Sequence, residues 1–389
     1  MRFALFYHSL VSDWNHGNAH FLRGIATELI ELGLEILIYE PADGWSASNL
    51  RQQHGEGPFR AFHAAYPRLR SRLYDPLSID LDAALDGVDV VIVHEWNDPA
   101  IVARIGRYRA RTRSCKVLFH DTHHRAISAP RQMQAYDLSE YDAVLAFGEV
   151  LRQHYERRGL RAFTWHEAAD TRIFHPLPAT KSLDLVWVGN WGDGERTAQL
   201  MELLVNPARE LGLRARAHGV RYPEDALGAL REAGIRYAGW IANFEVPAVF
   251  AQAAVTVHVH RRYYSEQLPG IPTIRVFEAL ACGIPLVCAP WDDTEGLFHP
   301  GQDYLVARDG PQMREHLRRL RRDRGLAREL AEHGLRAIRA RHTCAHRVSE
   351  LLAICRELGS SSRESDVLTG RTAQAGPSPA AAMRAARLS

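Results

Sequence analysis

Two hydrophobic rhythms alternate along most of this chain. Residues 3–7 form a short apolar run that reads as a strand. Over residues 20–32 apolar side chains recur at helical spacing, with Phe21, Leu22, Ile25, Leu29 and Leu32 on one side and Gly33 as a natural stop. Strand-like runs follow at 34–39, 88–93, 116–119 and 143–146, with a helix starting near Pro99. The theme then repeats, with strands at 185–188, 214–217, 255–259 and 286–288 and helices at 195–211 and 274–282. Residues 312–341 are charged and helical. The strand runs are near-continuous Val, Ile and Leu rather than alternating, which predicts strands buried on both faces, as in parallel sheets wrapped by helices.

This pattern predicts an α/β protein with two Rossmann-like domains whose parallel sheets face one another across a cleft. The first domain spans 1–170, a linker 171–182 carries Pro176 and Pro178, and the second domain spans 183–342. A helix at 343–358 is expected to pack back on the first domain. From residue 359 to 389 the chain turns to Ser, Gly, Pro and Ala without apolar periodicity, which predicts disorder. Ligands of such sheets bind beyond the carboxyl ends of the strands, here inside the cleft.

Composition narrows the classes. With 48 Lys and Arg against 46 Asp and Glu, the chain lacks the basic excess of a nucleic-acid binder. Five cysteines without a C-x-x-C pair give no disulfide framework or zinc site, and a reducing cytoplasm fits them best. The first ten residues hold one positive charge and an apolar run broken by Tyr7 and His8, a strand rather than a signal peptide. No stretch approaches the ~20 apolar residues of a membrane helix. Membrane-surface contact through the Arg-rich stretch 314–324 is the minority reading, and a solvated helix face the simpler one.

The densest chemistry lies at 272–285. Pro272 suits a first helical turn and Gly283 a stop, so Thr273 stands where unpaired N–H groups favour phosphate. Arg275 and Glu278 share a helix face, and a carboxylate among Val276, Phe277, Ala279 and Leu280 needs a partner. Two readings stay open: an internal ion pair with Arg275, or a carboxylate that accepts hydrogen bonds from vicinal ribose hydroxyls. Asn15-His16-Gly17-Asn18 connects the first strand to its helix, a place where backbone can approach a ligand. His120-Asp121-Thr122-His123-His124 follows a buried strand; a metal site there is the less favoured account, because adjacent loop residues rarely converge on one ion. His94-Glu95-Trp96-Asn97 also follows a strand. Asp80-Leu81-Asp82 opens a helical run, where acids favour the helix dipole. His258 and His260 alternate on a strand as half-buried structural histidines.

Glu278-Ala279-Leu280-Ala281-Cys282-Gly283-Ile284-Pro285 resembles the donor-binding helix of retaining two-Rossmann-domain (GT-B) glycosyltransferases. Arg275-Val276-Phe277-Glu278 with Ala281-Cys282-Gly283 is nearest to the spore-maturation-type branch. The resemblance implies transfer of a sugar from a nucleotide-sugar donor to an unidentified glycan, lipid-linked or protein acceptor, with retention and without a metal or cofactor. It places the ribose on Glu278, the diphosphate near Thr273, Arg275, Arg196, Asn190, Gly17 and Asn18, and the nucleobase by Trp240 and Ile241. It gives His120, with Asp121, the catalytic place beside the transferred sugar; the segment 94–97, by its place after a strand, is expected on the acceptor side. The chain departs from the pattern at Gly270, where many such enzymes carry a second acid beside that sugar. A nucleotide-sugar epimerase and a non-catalytic scaffold of the same fold are the rival readings.

Overall fold

A computed structural model describes residues 1–192 and 194–359. Of the tail expected to be disordered, 359–389, residues 360–389 lie outside the described residues. Seven parallel strands build the first sheet: β1 (Arg2–Phe6), β2 (Glu35–Pro41), β3 (Arg72–Tyr74), β4 (Val90–His94), β5 (Lys116–Asp121), β6 (Ala143–Ala146) and β7 (Ala162–Thr164). Their order is β3-β2-β1-β4-β5-β6-β7. The second sheet has β8 (Leu183–Val188), β9 (Ala215–His218), β10 (Ile235–Tyr237), β11 (Ala253–His258), β12 (Leu286–Cys288) and β13 (Leu305–Val306), in the order β10-β9-β8-β11-β12-β13. Both sheets reverse direction of travel beside their first strand, between β1 and β4 and between β8 and β11. Such switch points open a crevice at the strand ends.

The buried runs explain this arrangement. All five residues of β4 are buried, and Val90, Val91, Ile92 and Val93 are each flanked by β1 and β5 in register. One core cluster joins the domains, with Phe21 and Trp165 from the first and Ile274 and Phe277 from the second in a single apolar mass. Burial on this scale, at about 25 cal/mol per Å², makes the two domains interdependent. The Cys344–Glu357 helix lies on the Ala19–Glu31 helix of the first domain. The Trp165 Nε1–H donates to the Arg347 carbonyl at 2.9 Å, and Arg161 pairs with Glu357 at 2.6 Å.

Two sequence expectations changed in length. The helix expected at 195–211 starts at Thr197, widens to a π turn over Met201–Val205 and closes as Asn206–Glu210 around Pro207. The expected 312–341 helix is two, Gly310–Arg322 and Arg324–Arg341, because the Asp323 side chain accepts from the Leu326 N–H and starts a new helix. Asp80 does open a helix, accepting from the N–H groups of Asp82 and Ala83.

Candidate functional site

Two neighbouring cavities occupy the cleft between the sheets. The larger, about 500 Å³, has walls from both domains, including His8, His16, Trp45, Trp96 and Glu167 from the first and Arg196, Arg221, Arg261 and Thr273 from the second. The smaller, about 140 Å³, is bounded by Asp13, Gly219, Trp240, Ile241, Asn243 and Arg275. Asn15, His16, Gly17 and Asn190 line both, so the two lie side by side along the cleft.

The second-domain wall rests on three strand ends. Beyond β8, Asn190 Oδ1 accepts from the Val220 N–H at 2.9 Å, which ties the β8 and β9 ends together. Arg196 is buried; it donates to the carbonyls of Val259 at 2.6 Å and Asn190 at 2.5 Å, so its guanidinium braces two loops while lining the larger cavity. Thr273 precedes the Ile274–Ala281 helix, and its hydroxyl meets His258 Nε2 at 2.9 Å. That helix start opens into the larger cavity, where its Ile274 N–H faces Glu167 and its other first-turn N–H groups favour an anion. Trp240 and Ile241 line the smaller cavity, with the Trp240 ring 4.9 Å from His54 and its Nε1–H on Asp13 Oδ1 at 3.2 Å.

Glu278 does not reach either wall. It is fully buried, and it pairs with Arg275 in the i,i+3 arrangement. Asn243 Nδ2 donates to it at 2.7 Å and His20 Nδ1 stands at 2.9 Å. The Asp170 N–H donates to His20 Nε2 at 2.7 Å, so Nδ1 carries the hydrogen toward Glu278. Burial pushes the carboxyl up, but Arg275, His20 and Asn243 together outweigh it and hold it below the usual range. The ion pair of the first sequence reading is formed, and Arg275 lines the smaller cavity.

His120 and Asp121 are corrected. β5 runs two residues further than its apolar stretch, so both remain strand residues, fully buried, and neither lines a cavity. His120 Nδ1 meets the Tyr7 hydroxyl at 2.6 Å, and burial pushes the imidazole down to about 3. Asp121 accepts from the Tyr155 hydroxyl at 2.7 Å and the His123 N–H at 3.1 Å. Thr122, His123 and His124, one step on, reach the cavity instead. Within 94–97 only Trp96 does: His94 stacks on Tyr7, Glu95 pairs with Arg125 at 2.6 Å, and Asn97 accepts from the Tyr74 hydroxyl at 2.8 Å. His258 and His260 are fully rather than half buried. Among the described residues no group of three or more His, Cys, Asp or Glu is placed to hold a metal ion.

Several wall residues escaped the sequence reading. Asp13 crosses the cleft, accepting from Arg23 at 2.8 Å, the Asn243 N–H at 3.0 Å and Trp240. Glu167 follows β7, a three-residue strand too short for its periodicity to stand out. His8 and Trp45 sit beyond β1 and β2, and only their position at strand ends marked them.

Gly270 has a structural reason to be glycine. Its φ is +86°, and a Cβ there would lie 2.7 Å from Glu295 Oε1 and 2.8 Å from Thr294 Oγ1. That Glu295 carboxylate accepts from the Glu149 N–H at 2.9 Å and faces His166 Nε2 at 2.8 Å, linking the domains. Restoring an acid with Gly270→Glu is therefore expected to lower stability by about 1–3 kcal/mol through left-handed strain and displacement of Glu295. Chemical denaturation would show it, and an unchanged midpoint would contradict it.

Residues 196–353 match a family model described as glycosyl transferase-like. Among solved structures, the chain resembles Anabaena HepE in complex with UDP, at a TM-score of 0.64 and 12% identity over 92% of this chain and 100% of that one. It also resembles T4 phage BGT in complex with its UDP-glucose substrate, at 0.59 and 14% over 92% and 100%. Sucrose-phosphate synthase from Thermosynechococcus elongatus aligns at 0.62 and 14% over 93% and 100%. No curated protein matches. The two facing parallel sheets are those of GT-B structures, so the chain has the GT-B fold, and its residues 196–353 match the glycosyl transferase-like family.

Proposed function

We propose that the protein transfers a sugar from a nucleoside-diphosphate sugar to an acceptor, with the donor lying along the elongated cleft. The observation that carries this reading is the placement of Arg196, Asn190, Gly17 and the Thr273 helix start around the larger cavity, with Trp240, Ile241 and Gly219 around the smaller one, the narrow end of the cleft. The nucleoside occupies the narrow end, where a flat base can stack on Trp240, and the diphosphate the cationic middle. As the sugar–phosphate bond breaks, charge grows on the departing diphosphate. Arg196 and the Ile274–Ala281 helix start are aimed where that charge develops, so they stabilise the transition state more than the ground state. UDP is the proposed nucleotide, on the strength of the UDP and UDP-glucose complexes among the structural neighbours.

The finer parts of the reading belong with it: kinship to the spore-maturation-type branch, retention at the anomeric carbon, transfer without a metal, and a cytoplasmic location. The local Arg275–Glu278 and Ala281–Gly283 motif supports the branch and, through it, retention. Charge neutralisation by Arg196 supports metal-free transfer. Five cysteines, all buried and none disulfide-bonded, support a reducing compartment. No helix among the described residues is long and apolar enough to cross a membrane.

Calorimetric titration of the full chain with UDP, GDP and their hexose conjugates, with and without EDTA, tests the core of this. One nucleotide is expected to bind, insensitive to EDTA, with Arg196→Ala weakening it about tenfold or more, equivalent to ~1.4 kcal/mol. Wild-type protein that binds no nucleotide would sink the reading.

A further inference from the structure

Glu167 is the only carboxylate among the described residues lining the larger cavity. It stands on the segment leaving β7, where the chain passes from the first domain toward the second, and it is 6% exposed. Its Oε1 accepts from Asn18 Nδ2 at 3.2 Å, at the start of the Ala19–Glu31 helix. The Ile274 N–H, from the first residue of the Ile274–Ala281 helix, faces it from the second domain and favours its charged form. Both domains therefore hold one acceptor group at a shared point of the cavity wall.

A carboxylate has about four lone-pair sites, and two donors leave capacity for more. What fills that capacity must donate hydrogen bonds and must not be an anion. The ionised carboxylate excludes the nearby diphosphate as a direct partner, because two anions at contact repel. Among the described residues, three of the four arginines on the cavity wall, Arg196, Arg221 and Arg261, belong to the second domain, and the fourth, Arg125, is paired with Glu95, which keeps the phosphates on the second-domain side. A sugar ring presents hydroxyl donors and no charge. Position 270 cannot supply a second acid, as its backbone and its neighbours require glycine.

We propose that Glu167 binds the transferred sugar, accepting hydrogen bonds from its hydroxyls, and so sets which sugar the site takes. The proposal rests on the donor-site reading above and adds a residue and a role to it. Burial pushes the Glu167 carboxyl up to about 8, with Glu278 of the second domain adding to the rise and Asn18, the Ile274 N–H and Arg275 opposing it. Tyr264 also faces it, its hydroxyl pushed up by burial and by Glu167. Hydroxyl donors favour the ionised carboxylate, so sugar binding strengthens as pH rises toward 8, whereas binding of the bare nucleotide does not follow that profile.

The test compares UDP with UDP-glucose, and GDP with GDP-mannose, on the full-length wild type, Glu167→Gln and Glu167→Ala. Thermal melts identify any variant that fails to fold, and the near-isosteric Glu167→Gln keeps the comparison valid if Glu167→Ala does. The expected result is nucleotide affinity within about twofold of wild type in both variants. Affinity for the sugar conjugate falls about tenfold or more in Glu167→Ala and less in Glu167→Gln, whose amide oxygen still accepts. The rise of conjugate affinity with pH disappears in both. Equal loss of nucleotide and conjugate, or loss of neither, would overturn the proposal. Failure of the wild type to bind any nucleotide is a separate outcome that removes the donor site itself.

Discussion

Glu278→Ala is expected to cost the protein about 3 kcal/mol of stability. The carboxylate serves three donors, and its removal leaves Asn243 Nδ2, the His20 Nδ1–H and Arg275 without their acceptor in a fully buried place. Removing one partner of a buried pair typically costs ~3–5 kcal/mol. The lower end applies because the Arg275 side chain is 19% exposed and can turn into the smaller cavity. The loss also couples the domains, since His20 belongs to the first and Glu278 to the second. Urea denaturation would measure it, and a variant within about 1 kcal/mol of wild type would refute the account. The effect has a pH signature. A carboxyl held below its usual range contributes its stability above the unfolded value of ~4.3 and loses it as pH falls through the folded value. The stability gap between wild type and variant should therefore narrow as pH falls through the folded value. A double-mutant cycle with Arg275→Ala would separate the ion pair from the two neutral donors.

Gly219→Ala should have an effect of similar size by a different route. Gly219 directly follows β9 with φ at +151°, and a Cβ on it would overlap the Gly189 carbonyl oxygen and lie 2.7 Å from the carbonyl carbon. The obstacle is backbone, so no rotamer change relieves it. The two strand ends must separate, and the cost is about 3 kcal/mol on the scale of overpacking in a dense core. Gly189 and Gly219 both line the smaller cavity, and Tyr237 donates its hydroxyl hydrogen to the Gly219 carbonyl at 2.9 Å. Separation would deform the narrow end where the nucleoside is proposed to sit. The expected result is a lower denaturation midpoint together with nucleotide affinity reduced about tenfold or more. A variant that melts like wild type would show that the strand ends tolerate the added methyl. One that loses stability but keeps nucleotide affinity would place the nucleoside elsewhere in the cleft.

Much of the fold was legible in the chain because local chemistry decides it. Runs such as Val90–His94, buried along their whole length, can only be interior strands, and the helix from Ala19 to Glu31 shows its spacing in Phe21, Ile25 and Leu29. Short edge strands were not legible: Arg72–Tyr74 and Ala162–Thr164 have three residues each, too few for a period to emerge. The candidate wall was legible only in part, and the reason is geometric. Gly17, Asn190, Thr273 and Trp240 could be found because they sit at the ends of elements whose bounds the pattern revealed. His120 and Asp121 were misplaced by strand length alone: two more residues of β5 turned a loop into interior, and the residues after them took the cavity wall.

The sequence by itself determined the two α/β domains, the glycine stops and the identity of the helix that starts at the cleft, since each depends on neighbours within a turn or a strand. Tertiary structure decided what Glu278 does, because it is fully buried and reached by His20 and Asn243, 258 and 35 residues away, as well as by Arg275. It also decided that Glu167 faces the cavity and that Gly270 must stay glycine. In each case the deciding atoms belong to distant segments, and a carboxylate's role follows from which donors reach it, something spacing along the chain does not encode.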